Sequence, residues 1–248
     1  MKWQSLTKAV WEAPSLIRSA KLAAISQLKA PSAECPICGF QGKFLSFGDP
    51  VRTAVQCPQC WSLERHRLLA LAVRSGQISF EGKDVLAFAA DSATARACAG
   101  ARHYSTSNYP DANGADHSFN IEGTKQPDNS YDAVVCSHVL EHVNDKKALA
   151  ELFRILRPGG HLIFMVPLIE GWTGTYEDPS IRSDQERQVH FGQFDHVRYY
   201  GADVRQRAVA AGFILNEVTA GPTDSIRYGL HRGEKIFIGQ KPLADAKQ

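Results

Sequence analysis

The chain has no uninterrupted apolar run near the roughly 18 residues that a membrane-spanning helix needs. It also lacks the charged start, short apolar core and small-residue cleavage site of a secretory leader. Neither sign of charge dominates: 28 Lys and Arg stand against 26 Asp and Glu, a formal net charge of +2. Internal repeats and low-complexity tracts are missing as well. These absences argue against a membrane-spanning protein, a secreted one and a globally basic nucleic-acid binder, and they imply a cytoplasmic protein. The chain has 248 residues, 44% hydrophobic and 22% charged, an ordinary globular composition. That is enough for one large α/β domain with a small accessory module.

Against this background the six cysteines stand out, because a chain of this length needs no disulfides to hold a core. Four of them form Cys35-Pro-Ile-Cys38-Gly39 and Cys57-Pro-Gln-Cys60, with 18 residues between the pairs. This is the spacing of a zinc site: two thiolates on a tight knuckle face one ion, and a hairpin brings the second knuckle back. Four protein ligands leave no position for water, so the expected role is structural. The predicted zinc ribbon covers residues 31–62, with Cys35, Cys38, Cys57 and Cys60 as ligands. Cys98 and Cys136 lie in apolar surroundings and read as core thiols.

Residues 1–30 carry Lys2, Lys8, Arg18, Lys21 and Lys29 against Glu12 alone. Leu6, Val10, Leu16, Ile17, Ala20, Ala24, Ile25 and Leu28 give them a helical apolar stripe. With Trp3 and Trp11 this reads either as a peripheral contact with anionic lipid or as a basic amphipathic helix docked on its own domain. After the ribbon, Ser62 as N-cap and Glu64 in the first turn predict a helix within a linking segment, residues 63–82. Arg65, His66 and Arg67 in that helix read as an anion contact or as packing and ion pairing.

From residue 83 to 242, short apolar runs alternate with helical stretches, the pattern of a parallel, doubly wound sheet. Strands are expected at Lys83 to Ala90, His103 to Asn108, Tyr131 to Cys136 and His161 to Pro167, with further ones at Gly212 to Leu215 and Lys235 to Gly239. A helix from Asp145 to Leu156 places Leu149, Leu152, Phe153 and Leu156 at helical spacing, and Pro158-Gly159-Gly160 would stop it.

The run Ser130-Tyr131-Asp132-Ala133-Val134-Val135-Cys136-Ser137-His138-Val139-Leu140-Glu141-His142-Val143, followed by Arg154-Ile155-Leu156-Arg157-Pro158-Gly159-Gly160-His161-Leu162, resembles class I S-adenosylmethionine-dependent methyltransferases of the methyltransferase-11 type. The ribbon, Ser62-Leu63-Glu64-Arg65-His66-Arg67 and Asp195-His196-Val197-Arg198 resemble a bacterial subgroup of that family with an N-terminal zinc ribbon. The resemblance implies a Rossmann-like seven-stranded sheet with S-adenosyl-L-methionine across the carboxyl ends of its first, second and fourth strands. It implies Ala89 and Asp91 near the methionine part, Asn108 near the ribose, Asn120 and Ile121 near the adenine, and Ser137 and His138 on the sulfonium side.

The wider family has a glycine-rich turn after the first strand, whereas this chain reads Ala87-Phe88-Ala89-Ala90-Asp91-Ser92-Ala93. A β-carbon restricts positive φ and close backbone approach. Asn108 and Asn120 stand where carboxylates are usual, unless Asp111 is the ribose acid. His138 and His196 are candidate general bases, each also readable as a capping or packing residue. Asp178, in the polar insertion after Pro167, is a third candidate where an acceptor lid is expected, and Arg182, Arg187 and His190 there suit an anionic acceptor. Three readings follow: methyl transfer to a small molecule such as a glycan or lipid precursor; RNA methyl transfer, against which no aromatic-basic stripe is visible; and a non-catalytic interaction protein.

Overall fold

The computed structural model describes residues 17, 20–22, 24, 25, 27–48 and 51–243. The basic segment 1–30, with Trp3 and Trp11, therefore lies largely outside the described residues. Within its described part, Ile17, Leu22, Ile25 and Leu28 are helical and exposed. Two compact units form: residues up to Leu68 with Ala220–Glu234, and Leu69–Thr219 with Lys235 onward.

The first unit is built on two small antiparallel pairs, β1 (Ser32–Glu34) with β2 (Gln41–Lys43) and β3 (Leu45–Phe47) with β4 (Arg52–Gln56). A cysteine knuckle follows β1 and another follows β4. Each knuckle closes on a backbone bond of 2.9 Å, Gly39 N to Cys35 O and Trp61 N to Cys57 O. The residue after the second cysteine must then be left-handed, with φ +77° at Gly39 and φ +61° at Trp61. Glycine suits that position at no steric cost, and tryptophan holds it against strain.

Helix α1 (Glu64–Arg74) leaves this unit. Ser62 does not cap it: its buried hydroxyl lies 3.2 Å from Cys60 Sγ and 3.4 Å from Cys35 Sγ. The Leu63 N–H donates instead to His66 Nδ1 at 3.1 Å. Nor does Arg67 await an anion. Its guanidinium, fully buried, donates to the carbonyls of Val55, Ser62, Tyr228 and Gly229 at 2.6–3.0 Å and lies 4.4 Å over the Phe44 ring. Arg67 thus ties the second cysteine knuckle to the chain after the short helix Pro222–Arg227, a segment 161 residues away.

The second unit is an α/β sheet of six strands among the described residues, in the order β6-β5-β7-β8-β10-β9. β5 (Asp84–Phe88), β6 (His103–Ser107), β7 (Tyr131–Ser137) and β8 (Leu156–Met165) are parallel. β10 (Lys235–Gln240) lies antiparallel between β8 and β9 (Ile214–Thr219). The expected seventh strand is reduced to one parallel bridge, Ser107 with His117. The loop between those two residues is shorter than the dozen or so residues that a parallel crossover needs.

The helix before β8 also differs from expectation. Helix α3 (Asp145–Ile155) is capped by Asn144 and buries Ala148, Leu149, Leu152 and Ile155, but it passes straight into β8 at Leu156. Pro158-Gly159-Gly160 falls inside the strand, at an irregular register with β7. A β-carbon on Gly160 would stand 2.8 Å from Arg157 O and 3.0 Å from Asp132 O, so the close approach of two backbones requires glycine.

Helix α2 (Ser92–Ala97) follows β5, and the insertion after β8 carries α4 (Asp184–Phe191), begun by a Ser183–Glu186 capping box, and then α5 (Val204–Ala210). Leu86, Phe88, Val134, Cys136, Leu162, Phe164 and Phe237 form the core with the inner face of α3. Charge gathers at the amino ends of the strands, where Asp84 accepts from Arg102, His103 and Arg157. Those donors hold the Asp84 carboxyl far below the usual range.

Candidate functional site

At the opposite, carboxyl ends of β5, β6 and β7 lies a cavity of about 720 Å³. β5 is flanked by β6 and β7, and the chain leaves it for opposite sides in turn, so the cavity occupies the point where strand order reverses. Its walls include Phe88, Ala89, Asn108, Asp111, Phe119, Asn120, Ile121 and His138. Five of the seven expected cofactor residues thus meet there: Ala89, Asn108, Asn120, Ile121 and His138.

Asp91 and Ser137 are not among the lining residues. Asp91 is the N-cap of α2, accepting from the N–H groups of Ala93 at 3.1 Å and Thr94 at 2.8 Å. The Ser137 hydroxyl is buried at the end of β7 with no hydrogen-bond partner among the described residues. Asn108 Nδ2 donates to Ala112 O at 3.1 Å, and the nearby Asp111 adds a carboxylate to that wall.

The glycine-free turn solves its geometry by strain. Ala89 is left-handed, φ +48°, and its N–H donates to Ser107 O at 3.0 Å. A non-glycine residue there costs about 1–2 kcal/mol. Ala89→Gly should therefore stabilise the protein by about 0.5–1 kcal/mol in urea unfolding, the relief of strain exceeding the added chain entropy. A destabilised variant would show that the Ala89 methyl contributes packing that outweighs the strain. His138, φ +55°, and Asn113, φ +46°, are the other left-handed residues of the wall. Strain at such positions concentrates where function needs a fixed geometry.

The His138-Val139-Leu140-Glu141-His142 segment turns as a short 3₁₀ helix (Leu140–His142) and is pinned from the insertion. Val197 N donates to Glu141 O at 2.9 Å, and Arg198 donates to Leu140 O at 2.7 Å and to Val143 O. The Tyr200 hydroxyl adds a bond to Leu140 O at 3.2 Å. His138 Nδ1 lies 3.1 Å from Glu141 Oε1, and Glu141 is wholly buried. His196 sits behind this wall with Nδ1 3.1 Å from Phe191 O, and burial holds its imidazole below the ordinary histidine pKa.

Asp178 is not part of the cavity. It is exposed and accepts from the Ser180 N–H at 2.8 Å and hydroxyl at 2.7 Å, a turn contact that lowers its pKa. It lines a separate hollow of about 430 Å³ with Arg182 and Arg187. His142 and Asp195 do line the main cavity, 3.2 Å apart. Their signal in sequence was the pair of dyads Glu141-His142 and Asp195-His196, which nothing local brings together.

In the first unit, the sulfurs of Cys35, Cys38, Cys57 and Cys60 all lie within 4.8 Å of one another. Cys35 and Cys60 are 3.5 Å apart and Cys38 and Cys57 3.6 Å, far beyond a disulfide bond. A tetrahedral ion with metal–sulfur bonds of about 2.3 Å wants its sulfurs about 3.8 Å apart, so the cluster fits one. Burial pushes the Cys38 thiol up to about 12. Burial also raises Cys60, but the Ser62 hydroxyl and backbone outweigh it and bring that thiol down to about 7.

A Rossmann-like sheet with a cavity at its switch point belongs to the class of open α/β folds in which ligands bind beyond the strand carboxyl ends. Residues 84–164, which supply β5 to β8, match the family described as "Methyltransferase domain". The ubiquinone/menaquinone biosynthesis C-methyltransferase UbiE of Pasteurella multocida is 31% identical over 131 residues, 47% of this chain and 48% of that protein. Its namesake from Vibrio cholerae is 34% identical over 91 residues, 35% of each chain. The chain therefore spans less than half the length of these curated relatives. Among solved structures, the 1,6-didemethyltoxoflavin-N1-methyltransferase of Burkholderia thailandensis, with bound S-adenosylhomocysteine, is 15% identical at a TM-score of 0.49, covering 72% of this chain and 78% of that one. The YcgJ protein of Bacillus subtilis is 13% identical at 0.49, covering 72% and 100%.

Proposed function

We propose that the chain is an S-adenosylmethionine-dependent methyltransferase acting on a small-molecule acceptor, with a structural zinc ion at Cys35, Cys38, Cys57 and Cys60. The observation that carries the reading is the cavity of about 720 Å³ at the switch point of a sheet whose first four strands match a methyltransferase domain. Its volume lies in the usual range for small-ligand sites, and its wall mixes apolar Phe88, Phe119 and Ile121 with polar Asn108, Asp111 and Asn120. The matched relatives are named for methyl transfer in quinone biosynthesis, which supports a small acceptor.

The cofactor supplies a sulfonium methyl group for in-line transfer. On this reading Asp111 accepts from the ribose hydroxyls, a charge-assisted contact that Asn108 does not provide. Asn120 and Ile121 would hold the adenine. Fixing the reactants in attack geometry supplies about 7–11 kcal/mol, so the shape of the wall does most of the catalysis. His138 is the proton acceptor. With Glu141 Oε1 accepting from Nδ1–H, the Nε2 of His138 keeps its lone pair for a proton of the acceptor.

Isothermal titration calorimetry with S-adenosylhomocysteine tests the reading. Binding is expected, and Asp111→Asn is expected to weaken it about tenfold, roughly 1.4 kcal/mol, while Asn108→Ala weakens it less. Absence of both heat and thermal shift at millimolar ligand would sink the enzyme reading.

A further inference from the structure

Behind the cavity wall, Glu141, His142 and His196 each offer a ligand atom, and these atoms lie within 4.8 Å of one another. Methyl transfer by the residues above gives Glu141 one task, holding His138 through Oε1. Its second oxygen, Oε2, is buried and without a hydrogen-bond partner among the described residues, on a side chain with no solvent exposure. An unpaired carboxylate oxygen so placed costs several kcal/mol unless something binds it.

The two imidazoles are oriented as ligands usually are. His142 has Nδ1 3.2 Å from Asp195 Oδ2, and His196 has Nδ1 3.1 Å from Phe191 O. The His196 Nδ1–H donates to Phe191 O, and His142 Nδ1 faces the Asp195 carboxylate at ion-pair distance, which leaves each Nε2 for a ligand. A histidine that donates one ring N–H to a carboxylate or carbonyl while the other nitrogen ligates is the usual outer-shell arrangement of a metal site. The rings stand edge to face, 4.6 Å between centroids. The whole set is held by the bonds from Val197 and Arg198 to the Glu141 turn.

We propose that Glu141 Oε2, His142 Nε2 and His196 Nε2 bind one divalent first-row transition metal ion, distinct from the ion at the four cysteines. Two imidazoles and a carboxylate suit such an ion and leave coordination positions open. Bound donors would sit about 3–3.5 Å apart, a spacing that side chains whose ligand atoms already lie within 4.8 Å of one another reach by small movements. Glu141 and His196 are buried, whereas His142 and Asp195 line the cavity, so the open positions face it. There the ion takes an oxygen donor of the small molecule in the cavity, which makes the favoured acceptor one bearing a hydroxyl or carboxylate. This last step rests on the methyltransferase reading; the metal site itself does not.

Titration of the zinc-loaded full chain with Co²⁺ tests the proposal by visible absorption and metal analysis. About one further equivalent is expected, with the weak spectrum of nitrogen and oxygen ligands and no sulfur charge-transfer band. Glu141→Gln and His196→Asn should weaken that binding at least tenfold, and Asp195→Asn, which only orients His142, by about 10–100-fold. Zinc content and a thermal melt establish that each variant is folded. His142→Gln, at a partly exposed position, serves where Glu141→Gln does not fold. No second equivalent, or a second equivalent that these substitutions leave unchanged, overturns the site. Calorimetry with S-adenosylhomocysteine on the same samples separates the two ideas: binding without a second ion sinks the metal site alone. A second ion without such binding supports the metal site and removes the methyltransferase reading.

Discussion

Arg67→Leu is expected to destabilise the cysteine-bearing unit by roughly 3–5 kcal/mol, the usual cost of removing one member of a buried charged network. The guanidinium serves four carbonyls that have come out of water, those of Val55, Ser62, Tyr228 and Gly229. Leucine fills part of the volume but leaves all four without that donor. The charge matters as well. A zinc ion with four thiolates carries a net charge of about −2, and the buried Arg67 beside Cys35, Cys57 and Cys60 offsets part of it. Arg67→Lys keeps the charge but not the planar fork, so it should recover less than half of the loss. Urea unfolding followed by amide exchange in β3 and β4 measures this. A loss below about 1 kcal/mol would mean that water reaches these carbonyls.

Cys57→Ser, or removal of metal by a chelator, is expected to unfold the ribbon outright while the sheet of the second unit keeps its own transition. The ribbon's strands are three to five residues long, and its core is Cys35, Phe44, Cys57 and Cys60 with a fringe of half-buried neighbours. So few buried side chains cannot offset chain entropy of about 1–2 kcal/mol per residue. Structural zinc contributes on the order of 10–16 kcal/mol in comparable small domains, so on the proposed reading a bound ion would decide whether this region folds. The expected result is loss of about one zinc per chain together with amide protection across residues 32–62. Metal-free protein that keeps that protection would show that the ribbon folds on other contacts.

Much of the site was legible because its signals are local. Two cysteines three positions apart fall on one knuckle whatever the rest of the chain does, and the strand before Ser137-His138 is marked by its apolar run. The same locality explains the misreadings. Ser62 has the chemistry of an N-cap and stands at the right offset, but its hydroxyl is engaged with the sulfurs of Cys60 and Cys35 at 3.2 and 3.4 Å. Arg65-His66-Arg67 reads equally as an anion contact or as packing and ion pairing until the segment after Pro222–Arg227 buries Arg67 and decides for packing. Asp178 sits in the expected insertion, yet its turn with Ser180 and its separate hollow keep it off the cavity.

The sequence by itself determined what depends on spacing and periodicity: four clustered cysteines, an alternating α/β order, a buried helix face at Leu149 and Leu152, and the cavity end of β5 and β7. Tertiary structure alone decided which distant groups meet. Six strands rather than seven among the described residues, β10 between β8 and β9, four carbonyls on Arg67, and Glu141 beside His196 all join residues far apart in the chain. No local preference encodes such meetings. They follow from closing a packed core, where a buried charge or carboxylate must find its partner wherever the chain supplies one.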